Sequence, residues 1–279
     1  MAGAAGAMIM RRADLSMRAS TSVGQHITAN ADELIANFRS FVKAEITTIP
    51  EDLGNMDEVP VTFDMPGRYT VDIRGTQDVG IAGTGSEKTN FTVVLGVTAD
   101  GICPPMVIFK RKSVPKDTPP RIILKANAHG WMNEELMHDW VEEWMGSEHP
   151  AKSPEKALLI LDAACCHITM EAKKAIQKRA KIAVMPGGLT KYLQPLDISV
   201  NNSFKAKLRN RWEEWMIMDD AKHSYTKQGH MRHATYREVC LWVLQSIQEV
   251  TAQCIRNGFR RALEEGQLVA NEVWEDANE

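Results

Sequence analysis

The sequence predicts an α/β protein: a mixed sheet, antiparallel hairpin strands plus a parallel βαβ unit, flanked by helices, with an extra N-terminal helix and further C-terminal helices. Three observations carry this. FTVVLGVTAD and MVIFK are β-branched or apolar runs divided by turn residues that include Asp100-Gly101, so Phe91–Thr98 and Met106–Lys110 read as a hairpin. ALLILD (Ala157–Asp162), a short basic segment and KIAVM (Lys181–Met185) succeed one another at the length of a parallel crossover. Beyond Pro195 the apolar residues recur at helical spacing. Strands, then βαβ, then helices is the order of a mixed sheet with helices packed on it.

Each element has its local reason. Asn30 and Glu33 resemble a capping box, and Leu34, Phe38, Phe41 and Val42 continue at helical spacing to about Ile46, before Pro50. From residue 53 the period changes: YTVDI reads as a strand, and GIAGTGSEK as a flexible loop, because no Lys-Ser/Thr follows directly on its last glycine to make a phosphate cradle. Asn133 caps a helix with Glu134 and Glu135 in its first turn and Leu136, Trp140 and Trp144 along one face. Thr169 to about Lys178 is a short basic helix, and Pro186-Gly187-Gly188 stops the strand before it. A long helix follows Pro195 and Leu196, with Val200, Phe204, Leu208, Trp212, Trp215 and Met216 on one stripe. After a polar loop over 219–234, Thr235 and Glu238 form a second capping box, and a last helix runs from Thr251 to Leu263.

Composition sets outer limits. The 279 residues suffice for one large domain or two small ones, and 44% hydrophobic with 25% charged is an ordinary globular balance. Seven tryptophans read as core. No apolar run approaches the roughly 20 residues of a membrane helix, so no membrane partner is expected. MAGAAGAMIMRR has no basic residue before its short apolar stretch and reads as an irregular leader. Cys103, Cys165, Cys166, Cys240 and Cys254 form no CxxC pair, and an odd number argues for a reducing compartment. The net charge of -3 excludes a general polycation, yet Lys173, Lys174, Lys178, Arg179, Lys181 and Lys191 crowd one stretch and Lys205, Lys207, Arg209 and Arg211 another. Such runs are either solvated helix faces or the basic surface a phosphodiester enzyme needs.

Three aspartates stand at expected ends of elements: Asp57 after a short apolar stretch, Asp162 at the end of ALLILD and Asp197 at the start of the long helix. Singly each has a plain reading, as turn residue, strand end and helix N-cap. As a set they invite a metal, because converging carboxylates raise one another's pKa and a divalent cation relieves this. Carboxylate oxygens suit Mg²⁺ or Mn²⁺, and two such ions about 4 Å apart serve phosphodiester chemistry. The step of 35 positions from Asp162 to Asp197 holds a helix, a strand and a loop, enough to return to the same sheet edge. His167 could bond substrate or a metal's water, or act as a cap or core residue; Gln194 could position Asp197, touch DNA or pack a loop. Cys165-Cys166-His167 is rejected as a zinc trio, since adjacent cysteines rarely chelate one ion.

NMDE, LLILDAACCHIT, AVMPGGLTKYLQPLD and SVNNSFKAKLRNRWEEWM resemble the DDE-superfamily endonuclease domain of pogo, Tigger and jerky-type transposases, as do FDMPGRYTVDIRG, FTVVLGVTADGICPPMVIFKRK and GWMNEELMHDWVEEWM. The resemblance spans about residues 11–263. It implies an RNase H-like fold, metal ligands and catalytic groups at Asp57, Asp162 and Asp197, two Mg²⁺ or Mn²⁺ ions with DNA bound, double-stranded DNA (transposon ends and target) as partner, a homodimer, and a nuclear location. It divides the chain into a leader and trailing edge of a DNA-binding region (1–29), a linker helix (30–50), the DDE-type domain (51–265) and an acidic tail (266–279). Val59 after Asp57-Glu58, and AACCH after Asp162, depart from the family pattern without removing a ligand. The expected function is a metal-dependent DNA endonuclease and strand-transfer domain. The alternatives are a domesticated, non-catalytic nuclear DNA-binding or interaction protein and an unrelated Mg²⁺-dependent hydrolase.

Overall fold

Burial along the strands shows where each one sits. In β2 (Asn90–Thr98) every residue from Phe91 onward is buried, as a strand covered on both faces requires, and β2 is central. The computed structural model describes residues 30–46, 53–67, 83–99, 101–117, 119–146, 157–218 and 223–264; the leader, YTVDI and the acidic tail lie outside them. Among the described residues, seven strands form one mixed sheet. β1 (Leu53–Thr62) pairs antiparallel with β2, and β2 antiparallel with β3 (Gly101–Ile102) and β4 (Met106–Lys110). β5 (Ile123–Asn127) lies parallel to β4 at one edge; β6 (Leu158–Leu161) lies parallel to β1 and β7 (Lys181–Val184) parallel to β6 at the other. The order is β5-β4-β2-β1-β6-β7, so the chain reverses its direction of growth between β1 and β6.

Alternation along the strands makes two cores. Leu53, Val59, Val61, Leu158 and Ile160 face a layer holding α1 (Ala31–Glu45), α5 (Asn201–Met216), α6 (Tyr236–Gln248) and α7 (Ala252–Leu263). Met56, Leu159 and Leu161 face the opposite layer, with α2 (Glu134–Gly146) and α3 (Met170–Gln177). The short α4 (Thr190–Leu193) leads into one π-helical turn, Leu196–Val200, which runs directly into α5. Among the described residues no helix is long and apolar enough to cross a membrane.

The predicted hairpin and βαβ unit are present, with Asn133 Oδ1 accepting from the Leu136 N–H at 2.9 Å and the Thr235–Glu238 capping box fully formed. Other expectations change. Asn30 makes no side-chain cap; its φ of -106° and ψ of 22° depart from the extended cap conformation, and only its carbonyl joins the helix. The long helix opens as a π-turn, one extra residue in its hydrogen-bonded ring. Residues 83–88 of the glycine loop are tied down: Asp64, 1% exposed, accepts from the Thr84 and Ser86 N–H groups and the Thr84 hydroxyl. Trp140, Trp212 and Trp215 are core, but Trp131 is 61% exposed and stacks on His129.

Candidate metal centre

Asp57 lies inside β1, fifth of its ten residues, and not at the end of an element. The strand escaped notice because Gly54, Asn55, Asp57, Glu58 and Pro60 are all poor strand formers. Pro60 falls where β1 has lost β6 from one flank, a place where a strand tolerates proline. An opening in the sheet nevertheless lies beside Asp57. β1 and β6 pair only through Leu53↔Leu158, Gly54↔Leu159 and Asn55↔Ile160, and then part. The same register carried two residues further sets Asp57 level with Asp162, which follows the last residue of β6. By the period of two, Asp57 shares a face with Asn55, the side on which the π-turn packs, whereas Asp162 lies beyond β6 and turns its carboxylate to His167 and the Ala164 N–H.

Asp197 is the second residue of that turn and is exposed, so it is not a helix N-cap. Asn201, four residues on and hence on the same side of the helix, is 5% exposed. Its Nδ2 donates to Asp57 Oδ2 at 2.6 Å and to Asp197 Oδ1 at 2.9 Å. One amide thus joins two of the three predicted carboxylates. Burial, followed by the negative charge of Asp197, raises the Asp57 carboxyl to about 7, against the opposing hydrogen bond from Asn201.

Asp162 is held differently. Its Oδ1 accepts from the Ala164 N–H at 3.1 Å and from His167 Nδ1 at 2.6 Å. His167, 1% exposed, bonds Glu58 Oε1 through Nε2 at 3.0 Å. Burial works against the imidazolium, but the bonds to Asp162, Cys166 and Glu58 prevail and push its pKa up to about 12, so both ring nitrogens donate. For Asp162, burial is likewise outweighed, by the His167 hydrogen bond and charge and by the Ala164 N–H, and its pKa is lowered. His167 is therefore a buried ion-pair bridge. Glu58, Cys166 and His167 bring one ligand atom each within 4.8 Å of one another, whereas Cys165 is exposed and outside that group. Gln194, 1% exposed, packs inside with its Nε2 3.5 Å from the Met56 carbonyl.

The centre is two linked pairs, Asp57–Asp197 through Asn201 and Asp162–Glu58 through His167, joined where Asp57 and Glu58 adjoin on β1. The donors fit a hard divalent cation: carboxylate oxygens, burial that with the Asp197 charge holds a proton on Asp57 near neutrality, and a buried Asn201 Oδ1 with no hydrogen-bond partner. Sequence reasoning passed over Asn201, Glu58 and Asn55. The i+4 spacing after Asp197 was the available signal for Asn201.

The raised Asp57 pKa has a consequence for stability. The folded chain keeps this proton between about pH 4 and 7 while the unfolded chain does not, so its contribution to stability falls as pH rises through that window. Asp57→Asn should stabilise the metal-free chain at pH 8 by on the order of 2 kcal/mol and change little at pH 4. Urea unfolding at the two pH values checks this; equal shifts at both would show that Asp57 does not carry the strain.

The basic runs are partly consumed by internal pairs. Arg179 meets Glu142, Lys181 meets Glu45, and Lys207 and Arg211 both reach Glu249. Lys205 and Arg209 are exposed on α5 and continue the four-residue spacing begun by Asp197 and Asn201.

The family profile described as DDE superfamily endonuclease matches residues 88–259. A curated relative from mouse, "Pogo transposable element with KRAB domain", is 30% identical over 259 residues, covering 91% of this chain and 42% of its own length. The chain spans less than half the length of the curated relatives it matches. Among solved structures, the Mos1 mariner paired-end complex with Mn superposes with a TM-score of 0.62 at 10% identity, over 93% of this chain and 67% of that one. The corresponding complex with Mg gives 0.59 at 11% identity over the same shares. The likeness shows an RNase H-like fold.

Proposed function

Because this chain belongs to the DDE superfamily of endonucleases, we propose that it is a transposase-derived, metal-dependent DNA endonuclease and strand-transfer domain of the three-aspartate type. What supports this reading is the parting of β1 and β6 just before Asp57 and Asp162, which brings the two level in register, together with the Asn201 amide that fastens Asp197 to Asp57. Asp57, Asp162 and Asp197 would hold Mg²⁺ or Mn²⁺, two ions when DNA phosphate completes the site; bound, the ions would activate the attacking oxygen and stabilise the leaving one. His167 keeps Asp162 ionised and oriented, and Asn201 holds the other two carboxylates together. Lys205 and Arg209 lead away from the centre along α5 and suit the phosphate backbone of duplex DNA. Water would first cleave a phosphodiester at a transposon end, releasing a 3′-hydroxyl that then attacks target DNA. The solved relatives are named as paired-end complexes with Mn and with Mg, which supports both the cation and the DNA. A homodimer and a nuclear location belong to the same reading.

The experiment is calorimetric titration of Mn²⁺ into the chain and into Asp162→Ala. Saturable binding, weakened at least about tenfold in the variant, is expected. A folded parent chain that binds no Mn²⁺ would overturn the catalytic reading. It would leave the second one, a non-catalytic nuclear DNA-binding or interaction protein that keeps the fold. The names of the curated relatives, which join the element to a KRAB domain, favour that second reading.

A further inference from the structure

We propose that Asn55 is the positioning residue that sets the three aspartates relative to one another. It rests on the metal reading above. Asn55 is 0% exposed and stands on the last rung at which β1 and β6 are paired, opposite Ile160. Its Nδ2 donates to the Ile160 carbonyl at 3.0 Å, and its Oδ1 accepts from the Leu196 N–H at 3.0 Å. One side chain on β1 therefore bonds the backbones of β6 and the π-turn. Each segment carries its aspartate just beyond the contact: Asp57 two residues after Asn55, Asp162 two after Ile160, Asp197 one after Leu196.

The chemistry admits few substitutes. The Leu196 N–H lies at the start of a helical segment, where no intrahelical carbonyl is available to it. The Ile160 carbonyl lies where the strands separate. One partner can only donate and the other can only accept, so the amide's orientation is determined by its neighbours. A carboxylate would oppose the Ile160 carbonyl, and an aliphatic side chain of the same size would leave two buried backbone groups unpaired. Gln194 adds only the weaker 3.5 Å approach to the Met56 carbonyl. Asn55 touches no expected ligand atom; it acts by holding the segments that present them.

The test uses the whole chain with Asn55→Leu, Asn55→Ser and, as a control of comparable destabilisation away from the site, Val243→Ala in the core of α6. Two quantities are read well below each variant's Tm: Mn²⁺ affinity and hydrogen exchange at the Leu196 amide. Both Asn55 variants should bind Mn²⁺ about 10- to 100-fold more weakly. Their Leu196 amide should exchange at least about tenfold faster, with neither change in the control. If Asn55→Leu fails to fold, Asn55→Ser, whose hydroxyl cannot span both partners, carries both readouts. Folded Asn55 variants with parental affinity and parental Leu196 protection would overturn the proposal, as would an equal response from Val243→Ala. If the parent chain binds no Mn²⁺, the catalytic reading falls, and the exchange measurement alone decides whether Asn55 fastens the turn.

Discussion

Gly258→Ala is expected to destabilise the chain by about 3 kcal/mol and to weaken Mn²⁺ binding in whatever remains folded. Gly258 lies in the middle of α7, where intrinsic propensity favours alanine by roughly 1 kcal/mol. Sterics decide otherwise. A Cβ at this position would stand 2.5 Å from the Pro195 carbonyl oxygen and 2.6 Å from Ser199 Oγ. The serine side chain could rotate, giving up its 2.9 Å hydrogen bond to the Cys254 carbonyl, but the Pro195 carbonyl is backbone and cannot. Either α7 withdraws, exposing Ile255, Phe259 and Ala262, or the π-turn moves and carries Asp197 with it. Urea unfolding with Mn²⁺ titration separates these outcomes. A stabilised variant with parental affinity would show that α7 does not press on the turn.

His167→Ala should cost about 2–3 kcal/mol at pH 6. Breaking a buried ion pair by removing one partner costs about 3–5 kcal/mol, and the figure is reduced because Asp162 and Glu58 keep about a quarter of their side chains exposed, at 27% and 23%. The imidazole is lost from a closed site, and two carboxylates are left facing each other across it. The sign with pH follows from the shifts. The raised His167 pKa, about 12 against an ordinary 6.5, gives stability that is full below about 6.5 and lost as pH climbs towards 12. The lowered Asp162 pKa gives stability present above its ordinary 3.8 and lost as acid protonates it. The gap between parent and variant should therefore be widest between about pH 4 and 6.5 and shrink on both sides. A gap independent of pH would mean that His167 acts by packing alone.

Much of the architecture was legible because its signals are local. ALLILD is short, apolar and ended by an acid; Thr169 and Thr235 bond their caps as their neighbours dictate; and the stripe from Val200 to Trp215 is buried as its spacing requires. β1 was not legible, because the same residues that build the centre are those that local preference rejects from strands. Its evidence is non-local, in partners contributed by β2 and β6. Asn55 and Asn201 were hidden for a related reason. An asparagine declares its role only through what lies across from it, here Ile160 and Leu196 in one case and Asp57 with Asp197 in the other. His167 shows a third limit: burial at both nitrogens excludes the substrate contact that its place after Asp162 had left open.

The close seat of α7 against the π-turn also fixes an order of assembly during synthesis. The sheet can gather once β7 has emerged, since all its strands precede residue 185. The contact of Gly258 with Pro195 and Ser199, on the turn that carries Asp197, can form only later. A nascent chain interrupted between the two would hold a nearly complete sheet and an unfinished centre. The π-turn, and the Asp197 it carries, would then lack their seat until the last described helix docks.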